Sequence, residues 1–203
     1  MLLFTEQSLL IETEYKEIKA HVSFGNGKLP KTTMIFNMGS AHDCPSDALG
    51  LCQNSKICYA KAAERQYHKR VPQYRKRQES IWKKYTAAQL SKAFLLIIKA
   101  KRIKVDAFRF NESGDFWDQG CVEKLNIIAS WLKTEDILTY GYTARKDLDF
   151  SNTCFFVLGS NFLLHGEFRT VDHPSGYHPV CPGDCKICTL CQGYDGVIEV
   201  VKH

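Results

Sequence analysis

Apolar residues recur at helical spacing in two long stretches, with short β-rich runs before, between and after them. From Gln73 to Ala100 the positions Ile81, Tyr85, Leu90, Phe94, Leu95, Ile97 and Ile98 predict one long helix or two stacked ones, more buried toward the carboxyl end. From Asp118 to Leu132, the residues Val122, Leu125, Ile128, Ala129 and Leu132 share one face of an amphipathic helix. A further helix opens at Cys58-Tyr59-Ala60-Lys61 and is interrupted at Pro72. Lys31–Met38, Val105–Phe110, Ile137–Tyr142 and Thr153–Leu158 read as strands, as do the shorter Phe168–Val171 and Gly196–Val201. Near the start, Leu9–Glu12 and Ala20–Phe24 read as short strands, followed by a turn at Gly25-Asn26-Gly27.

Strands alternating with helices predict an α/β fold with a mostly parallel sheet. Four or five such units, by this reading, are too few to close an eight-stranded barrel. The expected architecture is therefore a compact partial (βα) barrel or an open, mostly parallel sheet. The 203 residues read as a single α/β domain. Within it, 1–32 is an N-terminal extension, 33–171 a βα core, and 172–203 a cysteine-rich cluster segment with a closing strand.

Composition narrows the chemistry. With 44% hydrophobic and 24% charged residues the chain can build an ordinary core. No apolar run is long enough to span a bilayer, so no membrane partner is expected. The first residues carry early acids and no basic region, unlike a signal peptide. The expected setting is the cytoplasm, where thiols stay reduced. Nine cysteines, an odd number, then mean metal or redox chemistry rather than a disulfide framework.

Four of those cysteines form the strongest signal: Cys181, Cys185, Cys188 and Cys191, at spacings x3, x2 and x2. Short spacers let one loop wrap one site, and Gly183 permits the tight turn. Zinc more often takes two knuckles a dozen or more residues apart. Thiols this close suit a 4Fe–4S cluster better, with zinc as the alternative. A second group, Cys44, Cys52 and Cys58, follows a strand and runs into a helix, where α/β folds place ligands. Three thiols leave one ligand position open. One or two clusters are both compatible with this inventory. Cys121 and Cys154 read as core packing, and His42 as either a partner to Cys44 or a surface histidine.

Polar residues crowd two successive strand ends. Arg109, Asn111 and Glu112 are candidates for orienting a ligand and for catalysis. Ser113, Asp115, Tyr142 and Arg145 are candidates for holding a cofactor. Alternatively, Ser113 or Asp115 caps the helix after Phe116. Residues 61–84 hold nine Lys or Arg against two Glu, while the whole chain is only +5. With Tyr59, Tyr67, Tyr74 and Tyr85 around these charges, a nucleic-acid partner is one expectation and a solvated helix face the other. No zinc finger, helix-turn-helix, phosphate-binding loop or Gly-x-Ser-x-Gly motif is present.

The stretch Cys44-Pro45…Cys52…Cys58-Tyr59-Ala60-Lys61-Ala62-Ala63-Glu64-Arg65 resembles the cluster loop of phage-encoded, radical-SAM-like iron–sulfur proteins. Phe108-Arg-Phe-Asn-Glu-Ser-Gly-Asp115 resembles their next strand end. The whole is similar to a family of mycobacteriophage and other phage gene products that pair this loop with a C-terminal cysteine cluster. The resemblance implies a radical-SAM-like scaffold in a bacterial host's cytoplasm, a 4Fe–4S cofactor and, by extension, SAM. The spacing departs from it: radical-SAM enzymes carry C-x3-C-x2-C, whereas here the gaps are x7 and x5. Their glycine-rich SAM motif is also absent. Three functions follow as expectations: an iron–sulfur-binding phage protein, a radical or redox enzyme with an open cluster, or a nucleic-acid-associated protein with a structural cluster or zinc.

Overall fold

The computed structural model describes residues 11–202. A first helix, α1 (Glu12–Lys19), leads to β1 (Ser23–Phe24) and β2 (Thr33–Phe36). Four helices follow: α2 (Pro45–Ala48), α3 (Tyr59–Gln66), α4 (Val71–Lys84) and α5 (Ala87–Lys99). Then come β3 (Ala107–Phe110), α6 (Gln119–Lys133), β4 (Leu138–Thr143), β5 (Phe156–Ser160), β6 (Gly166–Val171) and β7 (Val197–Val201). Short 3-10 turns lie at Ser55–Ile57 and Leu190–Gln192. None of the described helices is long and apolar enough to cross a membrane.

All seven strands form one sheet in sequence order, β1 to β7. β1 pairs antiparallel with β2, and every later pair is parallel. The two ends of the sheet, β1 and β7, are not joined, so the sheet is open and mostly parallel, as expected. The helices fill only the first two parallel crossovers: α2–α5 between β2 and β3, and α6 between β3 and β4. Later connections are loops, and the one between β6 and β7 carries Cys181–Cys191.

Side chains alternate across a strand, so the sheet has two distinct faces. One face presents Met34, Phe36, Phe108, Phe110 and Val157 to the helices. There they pack with Ile81 and Trp82 of α4, Leu90 and Phe94 of α5, and Leu125 and Ile128 of α6. Phe94 sits between Phe36 and Phe108, with ring centroids 5.3 and 5.5 Å away. The opposite face presents Ile35, Arg109 and Tyr140, aligned by register across β2, β3 and β4. Tyr142 and Leu158 continue it. The cysteine-bearing loops cover this second face.

The parallel link from β5 to β6 spans only residues 161–165. The register makes this feasible: Ser160 pairs with Phe168, so β6 starts level with Leu158 near the end of β5. Asn161 takes a left-handed φ of 62°, and Gly159 passes close to the Phe162 carbonyl. Beyond β7, the segment before Cys181 lines the outer edge of the sheet. Val180 bridges to Glu199 in parallel, the Glu199 amide donates to the Pro179 carbonyl, and the Cys181 amide to the Glu199 carbonyl.

Of the two readings of Gln73–Ala100, the structure has two helices, divided at Tyr85-Thr86, where Thr86 and Gln89 form a capping box. Other expectations change. Pro72 sits in the first turn of α4 rather than breaking a helix, since an amide there has no intrahelical acceptor. Of the strand expected at Leu9–Glu12, residues 9 and 10 lie outside the described residues, and Glu12 opens α1 instead. Acids at Glu12 and Glu14 and lysines at Lys16 and Lys19 suit the helix dipole there. The cap of α6 is Asp118, whose side chain accepts from the Cys121 amide at 2.9 Å, rather than Ser113 or Asp115. Cys121 is a core residue, but Cys154 is exposed and precedes β5.

Candidate metal centre

The N-terminal cysteine loop leaves the carboxyl end of β2 and is anchored by a buried glutamate. Glu64 of α3 accepts from Ser40 Oγ at 2.9 Å, the Ala41 amide at 2.8 Å and Arg75 Nη1 at 2.8 Å. Arg75 also donates to the Ala60 carbonyl, so α3, α4 and the loop are tied at one point. Burial pushes the Glu64 carboxyl up, but the Ala41 amide, Arg75 and Ser40 outweigh it and hold the group below its ordinary range. His42, half-exposed, lies 3.7 Å from Glu64.

From this anchor, Cys44 caps the short α2 and Cys58 occupies the N-cap of α3. Cys44, Cys52 and Cys58 are each partly exposed and free. Burial pushes the Cys44 thiol up to about 12, and the neighbouring Asp115 carboxylate and Cys52 add to this. Cys52 is raised in the same way, with Cys58 and Asp115 among its charged neighbours. Asp115 lies beneath these thiols as a hydrogen-bonded hub. It accepts from Ser46 Oγ, Thr143 Oγ1 at 2.7 Å, and the amides of Ala144 at 2.8 Å and Phe116 at 2.9 Å. Its burial still raises the carboxyl's pKa. Between Cys52 and Cys58, Asn54 docks the loop on the sheet, donating to Thr170 Oγ1 of β6 at 2.8 Å and to Ser160 Oγ of β5.

The C-terminal run covers the same face from the other side. Gly183 turns through a left-handed φ of 74°, and the Cys185 amide donates to the Lys28 carbonyl at 3.1 Å. Cys191 lies in the 3-10 turn that packs on β4. Burial pushes its thiol up to about 11, opposed by the Tyr142 hydroxyl and the Arg109 charge. Cys185 is raised by burial too, with Arg109 opposing and Cys181 and Cys188 as charged neighbours. The seven cysteines thus form two groups above one sheet face, three from the β2–α3 connection and four from the β6–β7 connection.

Arg109 projects from that face beside Tyr142. It is 6% exposed, and its guanidinium lies 3.9 Å from the Tyr142 ring centroid and 5.6 Å from that of Tyr140. Desolvated stacking of this kind contributes about 2 kcal/mol. Among the described residues Arg109 makes no ion pair, and its Nε has no hydrogen-bond partner.

The other polar candidates have structural partners. Asn111, at φ 49°, accepts from the Met38 amide at 2.9 Å. Glu112 accepts from the Asn26 side chain, and its carbonyl accepts from the Tyr59 hydroxyl at 2.6 Å. The Ser113 amide donates to Asn37 Oδ1 at 3.0 Å. Arg145 grips Asp147 with two 2.8 Å hydrogen bonds and donates to the carbonyls of Phe116 and Trp117. Arg109 and Tyr142 therefore lie beside Cys185 and Cys191, whereas Asn111, Ser113, Asp115 and Arg145 hold the strand ends together. Sequence reasoning missed Glu64 and Asn54. An acid within a basic run was the available signal for Glu64, and no local signal marks Asn54.

Seven thiols are a donor set whose chemistry suits a soft or borderline metal. Among the described residues, however, no three His, Cys, Asp or Glu side chains are gathered so as to hold a metal ion.

The basic stretch is divided by the fold. Lys61 pairs with Asp47, Arg75 with Glu64, Lys83 with Glu79 and Lys84 with Glu17. Arg65, His68, Lys69, Arg70, Lys76 and Arg77 remain exposed around the α3–α4 turn, together with Tyr67.

A family model described as Gene product 88 matches residues 2–158. The matched range holds Cys44, Cys52, Cys58, Arg109 and Asp115 and ends within β5, before the Cys181–Cys191 run. No curated protein and no solved structure matches the chain. With the match spanning most of its length, the chain belongs to the Gene product 88 family of phage-type gene products.

Proposed function

We propose that this protein binds iron–sulfur clusters, with Cys44, Cys52 and Cys58 as one donor group and Cys181, Cys185, Cys188 and Cys191 as the other. The observation that carries this reading is the placement of both groups over the sheet face opposite the layer of α4, α5 and α6. Free, partly exposed thiols at such short spacings suit clusters better than zinc, which more often takes two knuckles a dozen or more residues apart. A bound cluster would supply one-electron storage. The chain's own residues orient the loops: Asn54 pins one to β5 and β6, and the Cys185 amide pins the other to Lys28. Anaerobic iron and sulfide analysis tests it. About eight irons per chain supports two 4Fe–4S clusters and about four supports one. About one zinc with little iron sinks the proposal.

The enzymatic variant adds substrate or SAM chemistry at the three-cysteine group, where one iron would lack a protein ligand. Its support is the resemblance of the Cys44–Arg65 and Phe108–Asp115 stretches to radical-SAM-like proteins, together with Glu112 and Arg109 near the same loops. Anaerobic reduction in the presence of SAM, followed by assay for 5′-deoxyadenosine, decides it. Absence of product from iron-loaded protein removes this variant and leaves a structural or electron-transfer role.

A second reading concerns a partner. The exposed cations around the α3–α4 turn, without an ion pair among the described residues and with exposed Tyr67 between them, favour contact with single-stranded nucleic acid. Binding to single-stranded DNA should then fall steeply with salt. Joint neutralisation of Lys69, Arg70, Lys76 and Arg77 should abolish it, and unchanged binding would refute the reading.

A further inference from the structure

We infer that the cleft between the carboxyl end of α4 and the start of α6 is a stacking subsite for one unpaired base of a nucleic-acid strand whose phosphates lie along α4. The inference rests on the nucleic-acid reading and deepens it. The cleft has a volume of about 210 Å³. Pockets that enclose a whole small molecule run to about 300–1,000 Å³, so this one suits a single flat ring rather than a complete cofactor. Its walls include Trp82 and Lys83 of α4, Trp117 and Asp118 before α6, and Cys121 and Lys124 of α6. Trp117 is partly exposed, and its ring edge is fixed by Nε1, which donates to the Met38 carbonyl at 3.3 Å.

The polar atoms of these walls are largely committed to one another. Trp82 Nε1 donates to Cys121 Sγ at 3.3 Å, Asp118 accepts from the Cys121 amide at 2.9 Å, and Lys124 donates to the carbonyls of Trp82 and Tyr85. A ring entering the cleft therefore meets an indole more than free donors, and recognition is by stacking, which every base supports. The surrounding charges decide which part of the strand enters. The Asp118 carboxylate repels a phosphate. The Lys83 ammonium lies 4.3 Å from the Trp117 ring centroid and pairs with Glu79. Its side chain is 56% exposed, so it can yield the ring to a base and carry its charge to the adjoining phosphate. Lys76, also exposed, lies seven residues earlier on the same helix face, about 10 Å away along the axis. Exposed Tyr67, Lys69 and Arg70 mark the start of the helix. A cationic stripe thus leads from the α3–α4 turn to the cleft, with an aromatic ring at each end.

Binding of a fluorescently labelled oligo(dT) to the full chain, followed by anisotropy over a range of salt, tests this. Trp117→Ala should bind about tenfold more weakly. Its dependence on salt should match wild type, because no cation is lost, whereas Lys76→Gln should flatten that dependence. Trp117→Phe, which keeps a ring, should recover most of the affinity. An abasic oligomer of the same length, which carries the phosphates without bases, should bind wild type and Trp117→Ala alike. Equal affinity of wild type and Trp117→Ala for oligo(dT) overturns the subsite and leaves the nucleic-acid reading standing. Equal weakening of Trp117→Ala toward both oligomers also overturns the subsite, since it marks general damage to the surface. Wild-type protein that binds neither oligomer overturns the nucleic-acid reading itself, and this inference with it.

Discussion

Glu64 has its side chain fully out of solvent, in contact with the loop before Cys44 on one side and Arg75 on the other. Substituting Glu64→Gln would leave the Arg75 guanidinium buried without its counter-charge, at a cost of about 3–5 kcal/mol. Chemical denaturation should show this as a lower midpoint. The pH dependence has a definite sign. A carboxyl held below its ordinary value of 4.5 in the folded state contributes stability that is fully present above that value. The contribution is lost as pH falls through the folded-state pKa, so acid unfolding should be shallower in Glu64→Gln than in wild type. The sequence could not reveal this role. Charge counted along residues 61–84 makes Glu64 look outnumbered, yet chain reversal at residues 67–70 brings Arg75 back against it. The cysteine spacing, by contrast, is a local property that can be read directly from the sequence.

At the scale of elements, hydrophobic periodicity carried most of the information. It located α5, α6, β3 and β4 because each is apolar along one face or throughout, and it left the α4–α5 division open because capping decides it. Thr86 is such a case: its hydroxyl accepts from the Gln89 amide. Thr86→Ala should lower stability by about 1 kcal/mol, read as a fall in thermal midpoint. The β5–β6 link was less readable, because its shortness depends on register. A Cβ added at Gly159 would lie 2.1 Å from the Phe162 carbonyl oxygen, whereas one added at Gly27 meets nothing within 4 Å. Gly159→Ala should therefore destabilise the fold by about 1–3 kcal/mol or more, with Gly27→Ala as a near-neutral comparison in the same denaturation experiment.

At the scale of the molecule, the alternation of elements was sufficient to predict a parallel sheet, and the family match is consistent with the phage resemblance. What no local pattern could show is that all the helices of the parallel crossovers end before β4, leaving the later connections as loops. With α4, α5 and α6 packed on one face, the opposite face is left to the two cysteine-bearing connections. This arrangement also gives the cysteine run a second duty at the sheet's margin. Because Pro179, Val180 and Cys181 occupy the outer side of β7, the loop that presents the thiols is also what shields the last strand from other chains. Alkylating the thiols with N-ethylmaleimide should dislodge that loop and yield larger species by light scattering than the untreated protein, while an unchanged size would mean the shield stays in place. Loss of the ligand loop would then be felt as a loss of solubility, making the state of the cysteines a determinant of how long the protein survives in a crowded cell.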